Sequence, residues 1–339
     1  MDKASPRVAL VKGDDRYANT RKALDLIDEH IHLQGAEKIL VKPNLISIAR
    51  PLAITHIDAV RALLDFLQER TSCQIIIGEG TGMDSLDTMT AFRRLGYFNL
   101  GERYNVRFVD LNIDEGAPVE ILDSQLRPLT VMLAKSVVDA DYRISLCPPK
   151  THDCVIITAT LKNMMVGSLR RKENAVTAKL AALANLIRVR TSPSLWGELA
   201  ARWIRMSGND KLKIHQGYPA INLNLYKLAR VIPPRLSLID GFEAMEGNGP
   251  TQGEKVDLRV ALASTDFVAC DSVAARLMGF ELNQIGYLSY CHRAGLGEGD
   301  ISRIEVIGES IEACARTFKP HPSFQRQLNW HIPDVENYL

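Results

Sequence analysis

The chain has 339 residues, of which 46% are hydrophobic and 24% charged, and its formal net charge is +1. This length exceeds what one small core usually holds, and the composition is ordinary for a globular protein. A net charge so close to zero provides no general attraction to nucleic acid or to an anionic membrane, and no nucleic-acid partner is expected.

The sequence contains no apolar run that approaches the ~20 residues of a membrane-spanning helix. The first residues, MDKASPRVALVKGDD, lack the apolar core of a signal peptide, so we expect a cytoplasmic protein without a transmembrane segment. Six cysteines are widely scattered and none forms a C-x-x-C pair. We therefore expect reduced, mostly buried thiols and no iron–sulfur cluster.

In the first half of the chain, short apolar runs alternate with segments of helical periodicity. Strands are predicted over residues 7–11, 38–41, 74–77, 106–110 and 140–146. Helices are predicted over residues 20–32, 55–69 and 86–95, and Thr55 is expected to cap the second of them. This alternation predicts an α/β fold, with mostly parallel sheet or sheets, helices on both faces and a basic helical insertion.

The basic insertion covers residues 170–213. It contains ten Lys or Arg residues against three acids, and Leu195, Leu199 and Trp203 have the spacing of an amphipathic helix. A solvated basic face is one interpretation. An interface for a protein partner or for self-association, a lid over an anionic ligand and a peripheral membrane contact are the others.

The second half returns to the α/β pattern. Strands are predicted over residues 236–239, 256–264 and 304–307, and a helix over residues 267–278. The resulting organisation is an N-terminal α/β half (1–169), the insertion (170–213), a C-terminal α/β half (214–318) and a tail along the surface (319–339).

The segment between Pro148 and Leu169 is the most informative part of the sequence. Lys150, His152, Lys162 and Asn163 surround an apolar, β-branched run there, and a lysine in such a setting needs a partner. A helix starting near Thr158 would add exposed N–H groups that favour an anion. The pattern indicates an anion site. A strand–helix junction with surface lysines, and a hydrogen-bonded structural histidine, are the alternatives.

Polar residues also follow the other predicted strands, where parallel sheets bind their ligands. Lys42 and Asn44 follow the second strand, Glu79 follows the third within G-E-G-T-G, and Asp110 ends the fourth. The three glycines are like those of a phosphate-binding turn, but they match neither the dinucleotide fingerprint nor the P-loop. A tight turn between strand and helix explains them equally well.

Acids and a histidine in the second half complete the set of candidates. Asp240 and Glu246 lie in a glycine-rich segment, which suits either a divalent cation or a plain surface loop. Asp266 is a natural helix N-cap, and Asp271 within the same apolar helix requires a partner, for which a site lysine is a candidate. His215 precedes a glycine turn and is either a ligand or a hydrogen-bonded loop residue.

Six motifs occur in order along the chain: K-P-N-L, P-K-T-H, T-L-K-N-M-M-V-G, K-I-H-Q-G, I-D-G-F-E-A-M-E-G-N-G-P and S-T-D-F-V-A-C-D. Together they resemble the domain of unknown function 362 family over nearly the whole chain. The resemblance implies the signature positions Lys42, Asn44, Lys150, His152, Lys162, Asn163, His215, Asp240, Gly249, Asp266 and Asp271. Some members of the family carry an added ferredoxin-like segment, whose cysteines this chain lacks. The family has no settled reaction.

The leading hypothesis is an enzyme acting on a small anionic metabolite, a carboxylate or a phosphate. Its catalytic residues would be Lys150, His152 and Lys162, with His152 moving a proton near neutral pH. Lys42, Lys150 and Lys162 would together hold the anion. Its binding residues would be Lys42, Asn44, Glu79, Asn163, His215, Asp240, Asp266 and Asp271. Asp240 and Asp271 would orient the lysines or hold a divalent metal. One alternative is a non-catalytic ligand sensor or partner-binding protein that uses residues 170–213. The other is a metal-centred redox enzyme based on His152, His215 and acids.

Overall fold

The computed structural model describes residues 5–82, 87–172 and 208–339. The described strands are β1 Arg7–Lys12, β2 Ile39–Lys42, β3 Ile75–Glu79, β4 Val106–Asp110, β5 Gly116–Leu122, β6 Pro128–Ala134, β7 Tyr142–Cys147, β8 Lys150–His152, β9 Ile156–Thr158, β10 Leu236–Glu246, β11 Glu254–Ser264 and β12 Glu305–Gly308. The described α-helices are α1 Arg16–Leu26, α2 Ile57–Gln68, α3 Thr88–Arg94, α4 Lys135–Val138, α5 Thr160–Gly167, α6 Asp210–Lys213, α7 Tyr218–Ala229, α8 Phe267–Leu277, α9 Gly286–Arg293, α10 Ile311–Cys314 and α11 Phe324–Gln327.

One large sheet organises these elements, with eight strands in the order β12-β1-β11-β10-β7-β2-β3-β4. Five of the seven neighbouring pairs are parallel, and the two pairs that involve β11 with β1 and β10 are antiparallel. Strand β8 joins the sheet beside β10 and pairs with β9. The predicted α/β fold with a mostly parallel sheet is therefore confirmed.

The sheet separates two apolar cores, because successive residues of a strand point to opposite faces. In β2, Leu40 packs into the core that contains residues of α5, α7, α8 and α9, whereas Ile39 and Val41 pack into the core with α1 and α2. Helices thus cover both faces, as predicted. This arrangement leaves the carboxyl ends of β2, β3 and β7 at one edge, where the candidate site is found.

The predicted starts of two helices were wrong, because contacts with distant parts of the chain determine the roles of the residues next to them. Helix α2 is capped by His56, whose Nδ1 accepts from the amide of Asp58, and Thr55 instead joins the backbone at Asn44 and Leu146. Helix α5 begins two residues after Thr158, since that residue ends β9.

Strand content was also underestimated. The hairpin of β5 and β6 was not predicted, and β10 continues to Glu246 through an irregularity between Gly241 and Glu243, so the first part of the predicted glycine-rich loop is strand. None of the described helices combines the length and the apolar composition that crossing a membrane requires.

The proposed subdivision of the chain stays a prediction. Strand β1 lies between β12 and β11, so residues 1–169 and 214–318 contribute to the same sheet. Of the basic insertion, only residues 170–172 and 208–213 belong to the described part of the chain. The predicted amphipathic helix with Leu195, Leu199 and Trp203 lies outside it.

Candidate functional site

A buried ion pair joins the ends of the two neighbouring strands β2 and β3. Lys42 Nζ lies 2.6 Å from Glu79 Oε2, and both side chains are almost completely buried. Lys42 Nζ also donates to the carbonyl of Pro43. Glu79 accepts from the amides of Leu45 at 2.9 Å and Gly80 at 2.8 Å. The carboxyl edge of the sheet is therefore built on a buried charge pair, and backbone groups form further hydrogen bonds with both of its members.

Helix α5 contributes to the same network through Asn163. Its Oδ1 accepts from Lys42 Nζ at 3.1 Å, and its Nδ2 donates to the Lys42 carbonyl and to Ser145 Oγ of β7. Because both ends of the amide are bonded, the orientation of Asn163 is determined. The side chain connects β2, β7 and α5 at the edge of the sheet.

Gly167, the last residue of α5, packs directly on this network. A Cβ atom added there would overlap Cε and Nζ of Lys42 and approach Glu79 Oε2 to 3.2 Å. Lys42 cannot move aside without breaking its bond to Glu79. The absence of a side chain at this position is therefore required by the ion pair.

We expect Gly167→Ala to destabilise the protein by about 1–3 kcal/mol, as overpacking of a close-packed site does. The loss should appear as a lower midpoint of urea unfolding. Gly101→Ala is the matched control, because a Cβ there meets no atom within 4 Å. Equal midpoints for the Gly167→Ala and Gly101→Ala proteins would contradict the packing argument.

Asp271 of α8 holds the N-terminus of α5. Its carboxylate accepts from the amides of Thr160 and Leu161 and from Thr160 Oγ1, at 2.6–2.9 Å. Burial raises the pKa of Asp271 to about 6. The predicted partner of this acid was a site lysine, whereas its hydrogen-bond donors within the described residues are these groups of α5. The amides at the start of α5 that were expected to favour an anionic ligand are thus bound to Asp271.

Two other predicted acids also make structural contacts. Asp240 Oδ1 lies 3.1 Å from Nε of Arg16, and burial raises the pKa of Asp240. Asp266 caps α8 as expected, since its Oδ1 accepts from the amides of Val268 and Ala269. Neither Asp240 nor Asp266 lines the cavity described next.

A cavity of about 740 Å³ opens at this edge of the sheet. Six of the eleven predicted site residues line it: Asn44, Glu79, His152, Lys162, Asn163 and His215. Lys42, Lys150, Asp240, Asp266 and Asp271 do not, although Lys42 directly contacts Glu79 and Asn163 of its wall. Gly249 belongs to the wall as well, and a Cβ there would overlap the carbonyl of Thr151. The chemical roles of all these residues stay predictions.

Lys162 is a lysine of the cavity wall without a compensating ion pair among the described residues. The residue is only 6% exposed, and within the described residues its Nζ has no hydrogen-bond partner. Burial lowers the pKa of Lys162 to about 8, an effect that the charge of Asp153 partly offsets. An ammonium group at the wall of an open cavity, without a protein acceptor, offers its N–H donors to water or to an anionic ligand.

Lys211 is a site residue that was not predicted, because in the sequence it is one of ten basic residues in the insertion. Its Nζ donates to the carbonyls of Gly80 at 2.7 Å and Gly167 at 3.1 Å. Burial lowers the pKa of Lys211 to about 7. The motif K-I-H-Q-G pointed to this region, since Nδ1 of His215 lies 2.7 Å from the Lys211 carbonyl.

His152 begins a turn that continues with Asp153 and Cys154. Nδ1 of His152 accepts from the Cys154 amide at 3.0 Å and lies 3.0 Å from Asp153 Oδ1. Burial, followed by the charge of Lys162, lowers the pKa of His152 to about 3. The unperturbed imidazole pKa on which its proton-transfer role was predicted therefore does not apply. The three side chains form a group capable of holding a metal ion.

The C-terminal tail forms another part of the wall, which its irregular sequence did not indicate. His321, Ser323 and Arg326 line the cavity. Gln327 is buried, and its amide donates to the carbonyl of His152 at 2.8 Å and accepts from the amide of Ile156. The tail is thus bonded to the turn that carries His152.

Lys150 is completely buried behind this wall. Its Nζ donates to the carbonyl of Ala53 at 2.7 Å, and burial lowers its pKa to about 7. Lys42, Lys150 and Lys162 were predicted to hold the anion together. Lys162 is the member of this set that faces the cavity.

Comparisons with known proteins give a matching family and a protein of similar sequence. A family model described as a domain of unknown function (DUF362) matches residues 39–276. The thylakoid-associated protein sll1697 from Synechocystis sp. (strain ATCC 27184 / PCC 6803 / Kazusa) is 24% identical over 306 residues, which cover 89% of this chain and 78% of the relative. Because that relative is described as thylakoid-associated, the cytoplasmic location expected for this chain stays a prediction.

Among solved structures, the chain is similar to the lactate racemase apoprotein from Thermoanaerobacterium thermosaccharolyticum. The match has a TM-score of 0.47 and 14% sequence identity, and it covers 82% of this chain. The present chain spans 58% of the length of that protein.

Proposed function

The chain belongs to the family DUF362, a domain of unknown function, as its six motifs predicted, and we propose that it is an enzyme acting on a small anionic metabolite bound in the cavity. The observation that carries the proposal is Lys162, a residue of the cavity wall whose Nζ has no hydrogen-bond partner among the described residues. A carboxylate or phosphate oxygen would supply the missing acceptor. Such charge-assisted hydrogen bonds are about twice as strong as neutral ones.

The charges around the cavity support an anionic ligand. Lys42 is neutralised by Glu79 at 2.6 Å, and Lys211 is bonded to two backbone carbonyls, which carry no net charge. Asp153 is the acid whose charge most strongly acts on Lys162. Three cations of the wall, Lys162, Lys211 and Arg326, thus face one acid besides the paired Glu79, and an anion would balance the excess.

The chemistry proposed for the site is proton transfer by Lys162. Burial brings the pKa of Lys162 to about 8, so the group is mostly protonated near neutral pH and still exchanges its proton readily. A general acid is most effective when its pKa lies near the working pH. His152, with a pKa of about 3, is neutral under these conditions and is suited to donating or accepting a hydrogen bond without carrying charge.

We expect Lys162→Met to weaken the binding of the anionic ligand by about ten- to a hundredfold, the effect of losing a charge-assisted hydrogen bond. The measurement is the unfolding midpoint with a panel of small carboxylates, phosphates and nucleotides, since binding to the folded state raises it. All samples contain a chelator, so that metals do not contribute.

Lys22→Met is the matched control, because Lys22 is an exposed lysine on α1. It should retain the full ligand response. The Lys162→Met protein should unfold with normal cooperativity without ligand. An undiminished response of this variant to every stabilising ligand would contradict the proposed anchor.

Turnover distinguishes an enzyme from a ligand sensor that uses the same cavity. Each stabilising ligand is incubated with the wild-type protein in D₂O and followed by proton NMR. We expect conversion or hydrogen–deuterium exchange of the ligand, and its loss with Lys162→Met. Binding without any chemical change would favour the sensor.

A further inference from the structure

The turn of His152, Asp153 and Cys154 presents three metal-binding side chains to the same cavity. One donor atom from each, a nitrogen, an oxygen and a sulfur, lies within 4.8 Å of the others. All three residues line the cavity, and Asp153 and Cys154 retain exposed surface there. We propose that this turn binds a divalent transition metal, with zinc and cobalt as the best matches.

The donor set determines the class of metal. Thiolate and imidazole ligands favour zinc and its neighbours in the first transition series, whereas magnesium and calcium prefer sites made entirely of oxygen. A site with one sulfur, one nitrogen and one carboxylate oxygen therefore discriminates against the hard cations. The hypothesis that Asp240 and Asp271 hold the metal is not needed, because their contacts with Arg16 and α5 occupy them.

Hydrogen bonds from the tail fix the backbone of the turn, and the fixed backbone sets the directions in which the three side chains point. Gln327 bonds the carbonyl of His152 and the amide of Ile156, and Ser323 Oγ donates to the carbonyl of Asp153 at 2.9 Å. Strands β8 and β9 flank the turn as a paired hairpin. Metal sites depend on such support for the orientation of their ligands.

His321 of the tail lines the same cavity, but it does not belong to the group of three residues whose donor atoms lie within 4.8 Å of one another. Its Nδ1 is bonded to Ser323, at 2.7 Å from the hydroxyl and 3.0 Å from the amide. Three protein ligands on one wall of the cavity leave a coordination position for a substrate or water, as in catalytic zinc sites.

The metal site deepens the proposed function, and its role there rests on that proposal. Lys162 borders the same turn, since its charge interacts with Asp153 and Cys154. An anionic substrate would place one oxygen on the metal and another on Lys162 Nζ. The metal site itself depends only on the geometry of the turn.

The test is a titration of the metal-free, full-length protein with Co²⁺, followed by absorption spectroscopy. A thiolate bound to Co²⁺ gives a sulfur-to-metal charge-transfer band. Of the six cysteines, only Cys73 and Cys154 are not fully buried, so Cys73→Ser is the matched control for Cys154→Ser. We expect one Co²⁺ per chain and the band in the wild type and in Cys73→Ser. Cys154→Ser should lose the band and bind Co²⁺ at least about tenfold more weakly.

His152→Gln, checked for folding by circular dichroism, should weaken binding to a similar extent. An absent band in the wild type, or a band that persists in Cys154→Ser, would overturn the inference. The unfolding midpoints measured with the ligand panel and a chelator keep the two proposals separate. Anion stabilisation without cobalt binding would reject the metal site alone, whereas cobalt binding at Cys154 with no stabilising anion would reject the proposed function alone.

Discussion

Replacing Lys42 by methionine is expected to destabilise the protein by about 3–5 kcal/mol, the typical cost of removing one partner of a buried ion pair. The substitution leaves the carboxylate of Glu79 buried next to an apolar side chain. The amides of Leu45 and Gly80 still donate to that carboxylate, so the loss should lie toward the lower end of the range. Urea unfolding measures it as a decrease in the free energy of unfolding.

The double variant Lys42→Met with Glu79→Gln provides the decisive comparison, because it removes both charges of the pair. Its loss should be smaller than the sum of the two single losses, which a double-mutant cycle reports as coupling. Lys135→Met is the control, since Lys135 pairs with Asp139 at the surface of α4. Exposed pairs contribute little, about 0–1 kcal/mol. Additive losses for Lys42 and Glu79 would mean that the pair is not coupled.

The strand ends could be predicted from the sequence because they follow from local patterns. An apolar run gives a buried strand, and the polar residue at its end then lies at the carboxyl edge of a parallel sheet. On this reasoning Asn44 and Glu79 were expected at that edge, and both line the cavity there. The N-cap role of Asp266 was predictable for the same reason, since a cap depends on residues within one turn.

The partners of the individual lysines could not be predicted, because residues distant in the sequence supply them. Lys42 meets Glu79, Lys150 bonds the carbonyl of Ala53, and Lys162 faces the cavity, although the sequence presents all three as equivalent. Lys211 was missed for this reason, since its carbonyl partner Gly80 is 131 positions away. Charge composition predicts that a basic site exists, whereas tertiary contacts decide which lysine is left for a ligand.

The tail illustrates the same limit. Residues 319–339 show no clear periodicity, and a segment without period is usually assigned to the surface. Gln327 nevertheless forms two buried hydrogen bonds to the turn of His152. Side-chain bonds to the backbone of a distant turn leave no pattern in the local sequence.

Lys150→Met is expected to change how stability depends on pH. Burial lowers the pKa of Lys150 from 10.5 to about 7. Between these values, the unfolded chain holds a proton on Lys150 that the folded chain has released. Stability rises with pH wherever the unfolded state binds more protons. The wild type should therefore gain stability relative to Lys150→Met as the pH rises from 7 to 10, by up to about 1.4 kcal/mol per pH unit.

The quantity to measure is the difference in unfolding free energy between the two proteins at each pH, because groups that titrate in both proteins cancel in it. Over this interval the difference should shift by up to about 4 kcal/mol in favour of the wild type. In the variant the Ala53 carbonyl loses its donor at every pH. This loss shifts the difference in unfolding free energy by a constant amount and leaves its dependence on pH unchanged. The exposed Lys22→Met control should give a flat difference. A flat difference for Lys150→Met as well would show that Lys150 keeps its proton in the folded chain, and its buried charge would then need a partner other than the carbonyl of Ala53.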